Sequence, residues 1–141
     1  MNKLDTLEPE FRSQIEALLH AAQGVTERIW VLTAGRRTMA EQRGIYAQGR
    51  TKPGNIVSNA PAGFSAHNYG LAADLAPLME IGSQIDWTAP RILWKQMAHI
   101  AVEMGLVAGY NFKTIVDMPH IESKDWRAQR ELWQAGKLDI E

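Results

Sequence analysis

The strongest indication of the fold and of the chemistry lies in the segment Ser65-Ala66-His67-Asn68-Tyr69-Gly70-Leu71-Ala72-Ala73-Asp74. Its second half, 71–75, is a short apolar run that predicts a β-strand. A histidine, His67, therefore stands seven residues before Asp74, a carboxylate within that strand. Histidine and aspartate are both residue types that bind divalent metal ions, so this segment is a candidate half of a metal site.

A second histidine, His120, stands in the segment Asp117-Met118-Pro119-His120-Ile121-Glu122. Pro119 excludes a helix interior here, so His120 must project from extended or turn backbone. His67, Asp74 and His120 together are a plausible three-ligand zinc site with an open fourth position. Such a zinc ion lowers the pKa of bound water to about 7 and polarises a carbonyl, and both effects suit amide hydrolysis. From the spacing alone, the alternative stays open that Asp74 caps a turn and His120 pairs with an acid.

The composition limits the classes of protein to which the chain can belong. Its 141 residues are 45% hydrophobic and 22% charged, which is typical of one globular domain. The net charge of −1 gives no electrostatic footprint for nucleic acid or for an anionic membrane. The chain contains no cysteine, which excludes disulfide scaffolds, thiol nucleophiles and cysteine-ligated zinc. Of the four histidines, His20 and His99 fall within helical patterns and are expected to be surface or packing residues.

Periodicity and breakers predict a mixture of helices and short strands. We expect helices over 7–23, 38–48, 90–104 and 124–135, with Thr38 and Glu41 forming a capping box. We expect strands over 29–33 and 71–75, and one or two more within 106–116 with a turn near Gly109. Residues 49–64 are rich in glycine, proline and asparagine and predict a long loop, which is usually functional or disordered. No βαβ repeat is visible, so the fold class is predicted to be α+β.

The motif Ser65-x-His67-x-x-Gly70-x-Ala72-x-Asp74, followed by Asp117-x-Pro119-His120, resembles the signature of the zinc D-Ala-D-Ala carboxypeptidase superfamily. Within that superfamily it is most similar to the phage and bacterial L-alanyl-D-glutamate endopeptidases. The stretch Gly35-Arg36-Arg37-Thr38-x-x-Glu41-Gln42 is similar to the Gly-x-Arg-Ser/Thr-x-x-Glu-Gln of these peptidases, and the loop after it is also similar. The resemblance extends over roughly residues 30–126. It implies a small, mainly antiparallel sheet that carries a zinc site and packs against helices.

The resemblance also implies a role for individual residues. One Zn²⁺ would be held by His67, Asp74 and His120. Asp117 takes the position of the catalytic base, with Glu122 as a rival that follows the histidine instead of preceding it.

The arginine of the same motif would polarise the scissile carbonyl and hold the oxyanion. Its register favours Arg37, and Arg36 is the alternative. Ser65 and Gln42 are expected to contact the substrate or to support the residues that do.

The function implied by the resemblance is that of a zinc-dependent peptidoglycan peptidase, an endolysin, that hydrolyses the L-Ala–D-Glu bond of the stem peptide. A D,D-carboxypeptidase or a D-Ala-D-Ala dipeptidase with the same site is the alternative. A non-catalytic zinc module, like the amino-terminal signalling domain of Hedgehog proteins, is an alternative of another class. The presence of both Asp117 and Arg37 favours an enzyme.

We further expect residues 1–141 to form a single zinc peptidase domain without a separate cell-wall-binding module, acting as a monomer. The first ten residues contain no apolar core of a signal peptide, and no stretch approaches 18 uncharged apolar residues. The expectation is a protein made in the cytoplasm, with no membrane insertion. As in phage or prophage endolysins, it would reach the cell wall after a holin-type opening of the inner membrane.

Overall fold

The computed structural model describes residues 2–141 and has the predicted α+β class. Its helices are α1 (Pro9–Thr26), α2 (Met39–Ala47), α3 (Arg91–Glu103) and α4 (Arg127–Gln134). Its strands are β1 (Trp30–Ala34), β2 (Ala72–Pro77), β3 (Leu106–Ala108) and β4 (His120–Ser123). Three short 3₁₀ turns occupy Lys3–Thr6, Ala66–Tyr69 and Gly109–Asn111.

Side-chain caps explain where two of the helices begin. The Glu8 carboxylate accepts hydrogen bonds from the backbone N–H groups of Glu10 and Phe11, the first free donors of α1. At α2 the predicted capping box is present. The Thr38 hydroxyl accepts from the Glu41 N–H at 3.1 Å, and the Glu41 carboxylate accepts from the Thr38 N–H at 2.9 Å.

The four strands form one antiparallel sheet in the order β1-β2-β4-β3. The register places Asp74 of β2 opposite Ala34 of β1 on one side and opposite His120 of β4 on the other. These three residues therefore lie in one row across the centre of the sheet. The segment after Ala34, which contains Arg37, leaves the sheet at the same row.

The hydrophobic core lies between the sheet and helices α1 and α3. Phe11 and Ile15 of α1, Trp94 of α3, and Leu75 and Ile121 of the sheet are all buried in it. Successive side chains of a strand point to opposite faces. Because Leu75 faces the core, its neighbour Asp74 is directed to the other face of the sheet. Burial of the apolar face thus determines which side carries the polar residues.

Of the one or two strands expected within 106–116, the structure contains one, β3, and the expected turn follows it at Gly109. After β3 the chain forms the 3₁₀ turn Gly109–Asn111, and the β-branched residues 114–116 are exposed and have no neighbouring strand. The last strand is β4 instead, for which the sequence indicated only extended or turn backbone at His120. It pairs with both β2 and β3, and these long-range partners decide its conformation.

Among residues 2–141, none of the helices has both the length and the apolar character that a membrane span requires.

Phe11 tests the core. Phe11→Ala removes a side chain that is 1% exposed and leaves a cavity beneath α1. We expect the free energy of unfolding to fall by about 3–5 kcal/mol in chemical denaturation. Val25→Ala on the same helix, where the side chain is 54% exposed, is the matched control and should stay within about 0.5 kcal/mol of wild type. Equal losses in the two variants would contradict this description of the core.

Candidate metal centre and active site

The structure brings His67, Asp74 and His120 together on the polar face of the sheet. One donor atom from each lies within 4.8 Å of the others. Oδ1 of Asp74 is 3.3 Å from Nε2 of His67 and 3.5 Å from Nδ1 of His120. The two histidine rings are buried, and the carboxylate between them is partly buried. Three side chains that are far apart in the sequence thus converge on one point.

Two local devices produce this convergence. Asp74 and His120 are direct cross-strand neighbours in the β2–β4 ladder, so the register alone places them side by side. His67 comes from the 3₁₀ turn Ala66–Tyr69, which begins at Ser65 and ends at Gly70 in a left-handed conformation. The Ser65 hydroxyl accepts the N–H of His67 at 3.3 Å. Ser65 therefore supports the turn that presents His67.

Hydrogen bonds on the outer side of each ring orient the histidines. Nδ1 of His67 donates to the carbonyl oxygen of Gly35 at 2.8 Å, which leaves the Nε2 lone pair facing Asp74. Nε2 of His120 lies 2.7 Å from Oε1 of Glu122, which directs Nδ1 to the centre. The other oxygen of Glu122 accepts from the Trp126 indole at 2.8 Å. Carboxylate or carbonyl partners of this kind commonly fix metal-binding histidines.

The charges of the centre suit a bound cation. Burial by itself raises the pKa of Asp74, but His120 and His67 outweigh it and hold that pKa well below its usual range. Burial lowers the pKa of His120, whereas Asp74 and Glu122 raise it, to about 9. Two carboxylates thus surround one imidazole, and a positive charge between them is favoured.

The environment of Oδ1 of Asp74 is the most direct indication that the centre binds a cation. This oxygen is buried and has no hydrogen-bond partner among residues 2–141. A buried carboxylate oxygen without a partner destabilises a protein unless a ligand compensates it. Two neutral imidazoles and one carboxylate are a donor set that zinc accepts, so the residues present fit a Zn²⁺ ion.

Asp117 lies on the open side of this centre. Its Oδ2 is 4.0 Å from Nδ1 of His120, and the side chain is 49% exposed. Partial burial and the negative charge of Asp74 raise the pKa of Asp117, against the opposing effects of His120, His67 and Arg37. A carboxylate at this position can exchange protons with a water or a substrate in the cavity.

Glu122, the rival base, has no free oxygen. One of its oxygens pairs with His120 and the other with Trp126, and the residue is 8% exposed. The geometry therefore indicates that Glu122 orients His120 and does not act as the base.

Gly109 allows the Asp117 segment to approach the sheet. The carbonyl oxygen of Gly109 accepts the N–H of Asp117 at 3.0 Å. A Cβ at Gly109 would lie 2.3 Å from the backbone oxygen of Asp117 and 2.9 Å from Cβ of His120. The sequence indicated only a turn here, because the close approach depends on residues eight and eleven positions later.

The structure separates the two adjacent arginines. Arg37 lines the cavity that contains the histidines and Asp117, and its backbone N–H donates to the carbonyl of His67 at 3.0 Å. Burial lowers the pKa of Arg37, while Asp74, Glu41 and Asp117 counteract that effect. Arg36 is exposed and directed elsewhere, with its guanidinium 3.4 Å from the carbonyl of Glu141.

Gln42 connects Arg37 to the long loop. Its Oε1 accepts from Nη1 of Arg37 at 2.8 Å, and its Nε2 donates to the carbonyl of Ala60 at 2.7 Å. The side chain is fully buried, so of the two expectations for Gln42 the geometry fits support and not substrate contact. Asn68 anchors the same loop, with Oδ1 accepting from Gly63 N–H at 3.1 Å and Nδ2 donating to the Arg37 carbonyl at 2.9 Å.

The cavity above the centre has a volume of about 530 Å³. The cavity is lined by the three candidate ligands, Asp117 and Arg37. The rest of its wall includes loop residues 58–61 and 64–66 and Trp126, Arg127 and Arg130 around the start of α4. Sequence reasoning did not find the part of the wall that α4 forms. The position of α4 relative to the sheet has no local signal, although the spacing of Glu122, two residues after His120 on a strand, could have indicated their contact.

Comparisons with known proteins indicate the family to which the chain belongs. A family model described as D-alanyl-D-alanine carboxypeptidase matches residues 58–123. The peptidoglycan L-alanyl-D-glutamate endopeptidase CwlK of Bacillus subtilis is 38% identical over 123 residues, which cover 82% of this chain and 72% of that protein.

Two solved structures share the fold. The L-Ala D-Glu endopeptidase ChiX of Serratia marcescens superposes with a TM-score of 0.60 at 21% identity, covering 91% of this chain and 87% of that one. The vancomycin-resistance D,D-pentapeptidase VanY, solved with Zn(II), has a TM-score of 0.60 at 17% identity, with coverages of 92% and 79%.

The Glu122–His120 contact should control metal affinity. Glu122→Gln removes the negative charge that orients His120, and we expect zinc affinity to fall roughly 10- to 100-fold in competition with a chromophoric chelator. Glu103→Gln is the matched control, because that carboxylate also pairs with a histidine, His99, at 2.9 Å on the exposed side of α3. Zinc affinity equal to wild type in Glu122→Gln would contradict the role given to this contact.

The close approach at Gly109 predicts a loss of turnover. Gly109→Ala must displace the Asp117 backbone. Because a displacement of about 1 Å near a reacting group can reduce turnover roughly 100-fold, we expect peptidase kcat to fall by about that factor. Gly24→Ala in α1 is the control, since a Cβ there meets nothing within 4 Å. Steady-state kinetics of the two zinc-loaded variants make the comparison. A Gly109→Ala enzyme with wild-type kcat would show that the segment tolerates displacement.

Proposed function

Because the chain belongs to the D-alanyl-D-alanine carboxypeptidase family of peptidases, we propose that it is a zinc-dependent peptidoglycan endopeptidase cleaving the L-Ala–D-Glu bond of the stem peptide. The observation that carries the proposal is the centre itself. Two oriented histidines flank a buried aspartate oxygen that lacks a partner, and Asp117 and Arg37 stand in the same cavity.

The choice of bond rests on the relative of known activity. CwlK is named an L-alanyl-D-glutamate endopeptidase, and its similarity at 38% identity extends over 82% of this chain. VanY, a D,D-pentapeptidase, shares the fold at 17% identity, so a D,D-carboxypeptidase or a dipeptidase with the same centre is the second candidate.

His67, Asp74 and His120 supply three donor atoms for one zinc ion. Zinc at this position would lower the pKa of a bound water to about 7 and polarise the scissile carbonyl. Asp117 takes the proton from the attacking water at its exposed carboxylate and returns it to the leaving amine nitrogen. The raised pKa of Asp117 suits both steps, because a weakly basic carboxylate would hold the proton too loosely.

Arg37 donates hydrogen bonds to the oxygen of the scissile carbonyl as negative charge develops on it. Gln42 holds one side of the guanidinium, which reduces the reorganisation needed during the reaction. Oxyanion donors of this kind contribute roughly 100- to 1000-fold to turnover. Ser65 contributes indirectly, through the turn that presents His67.

We also propose that the described chain acts as one peptidase domain and as a monomer. The core cluster contains residues of α1, α3 and all four strands, which supports a single folding unit. The endolysin role, with release through a holin-type opening in a phage infection, stays a prediction from the family resemblance.

Mass spectrometry of peptidoglycan fragments tests the reaction. After incubation with the zinc-loaded protein, we expect fragments with a new D-Glu amino terminus, and we expect a chelator to abolish them. Asp117→Asn and Arg37→Gln should each lower kcat at least roughly 100-fold while the zinc content stays at one per chain. Asp125→Asn and Arg36→Gln are the matched controls, with activity near wild type.

Each other result has a specific meaning. Release of terminal D-Ala alone would identify a D,D-carboxypeptidase and refute the endopeptidase. Bound zinc with no cleavage of wall or precursor peptides would favour a non-catalytic module. Full activity in both Asp117→Asn and Arg37→Gln would overturn the mechanism even with the metal in place.

A further inference from the structure

Two arginines of α4 line the cavity, and neither has an acidic partner among the residues that the structure describes. Arg127 and Arg130 are three residues apart on the helix and therefore lie on neighbouring positions of its surface. Among residues 2–141, the arginine ion pairs belong to Arg12 and Arg28. Nε of Arg130 is buried and makes no hydrogen bond to the described residues.

Aromatic rings hold Arg130 in position. Its guanidinium carbon is 5.3 Å from the ring centroid of Phe64 and 5.5 Å from that of Trp126, while the Arg127 guanidinium is 4.8 Å from Trp126. Trp126 is itself fixed by its hydrogen bond to Glu122. The faces of aromatic rings attract the guanidinium cation electrostatically. They provide no oxygen or nitrogen acceptor for the N–H groups that lie in the plane of the guanidinium. Nε of Arg130 is therefore held in position without an acceptor among residues 2–141.

None of the acidic groups of the cavity pairs with Arg127 or Arg130. Asp74 lies between the two histidines, Glu122 is bonded to His120 and Trp126, and Asp117 is beside His120. A buried donor without an acceptor destabilises a protein, so its retention beside a substrate cavity indicates an acceptor supplied from outside. The fork of a guanidinium matches the two oxygens of a carboxylate.

We propose that Arg130, assisted by Arg127, binds the free carboxylate of the D-glutamyl residue on the leaving side of the scissile bond. The inference rests on the proposed function. A glutamyl residue whose amine is acylated by L-Ala has two carboxyl groups, and the peptide continues through only one of them. The other stays as an anion beside the bond that is cut. Two neighbouring arginines without acidic partners can bind that anion.

This contact makes the arginine pair a specificity determinant for the substrate. A site built to pair a charged group rejects the neutral analogue, because the buried Nε of Arg130 would then lose its charged acceptor. Amidation of the free carboxylate would therefore weaken binding, although the peptide keeps its shape. A terminal carboxylate has the same chemistry, so the experiment must separate the two sources.

The test uses three matched peptides containing the L-Ala–D-Glu unit. The first has both carboxylates free, the second has the D-glutamyl carboxylate converted to a carboxamide, and the third has a C-terminal carboxamide. Two readouts are taken for each: kcat/KM with the zinc-loaded enzyme, and calorimetric affinity with the metal-free protein. For wild type we expect a preference of roughly 10- to 100-fold for the first peptide over the second, and similar values for the first and third.

Substitutions at Arg130 then test whether this residue causes the preference for the free D-glutamyl carboxylate. In Arg130→Gln the ratio of the first to the second peptide should fall to within about threefold, and Arg130→Lys should restore it only in part, because the ammonium has no planar fork. Arg91→Gln is the matched control, since Arg91 also lies over an aromatic ring, Tyr110, at 5.2 Å but does not line the cavity. Its ratio should equal that of wild type.

The outcomes separate this inference from the proposed function. Equal wild-type values for the first and second peptides would overturn it without any variant, as would an unchanged ratio in Arg130→Gln. A loss confined to the third peptide would assign the arginines to a terminal carboxylate and would also overturn it. Absence of cleavage, together with carboxylate-dependent binding that requires Arg130, would support the subsite and refute the endopeptidase alone.

Discussion

The pairing of Asp74 with His120 across strands β2 and β4 is the constraint on which the site depends. The same two strands present Leu75 and Ile121 to the core on their other face. A shift of one residue in either strand would turn its carboxylate or imidazole into the core and expose its apolar neighbour. The burial that stabilises the sheet is therefore also what places two of the candidate ligands side by side. Core and site are fixed by a single register.

Trp126 connects the centre to the cationic wall that Arg127 and Arg130 of α4 form in the cavity. Its indole donates to Glu122, which orients His120, and its ring lies beside the guanidinium groups of Arg127 and Arg130. The residue is 4% exposed, so it can hold both neighbours in place. A single buried aromatic thus couples the orientation of a candidate ligand to the position of the cationic wall. Changes in α4 are expected to reach the centre through this ring.

The long loop, residues 49–64, is an ordered part of the cavity even though it contains neither a helix nor a strand. Hydrogen bonds within the loop, such as those of Arg50 to Ser58 and Asn59, are joined by bonds to three side chains outside it, Gln42, Asn68 and Tyr69. Asn68 and Tyr69 belong to the turn that carries His67, and Gln42 contacts Arg37. The loop, the histidine and the arginine therefore share one network. Side-chain contacts supply the order that regular secondary structure does not.

The sequence by itself determined the α+β class, the presence of the four helices with the capping box of α2, the strand carrying Asp74, and a short set of candidate residues. These follow from periodicity, from the capping box at Thr38 and from motifs whose residues are close together in the chain. Only the tertiary structure decided that β4 is a strand, that Arg37 and not Arg36 faces the cavity, and that Glu122 supports His120. It also revealed the wall formed by α4. The strand β4, the placement of Arg37 and the α4 wall depend on strand pairing or helix placement between distant segments, and such long-range contacts leave no local pattern in the chain. The contact of Glu122 with His120 is local, but it requires β4 to be extended, and that conformation is decided by the distant strands β2 and β3.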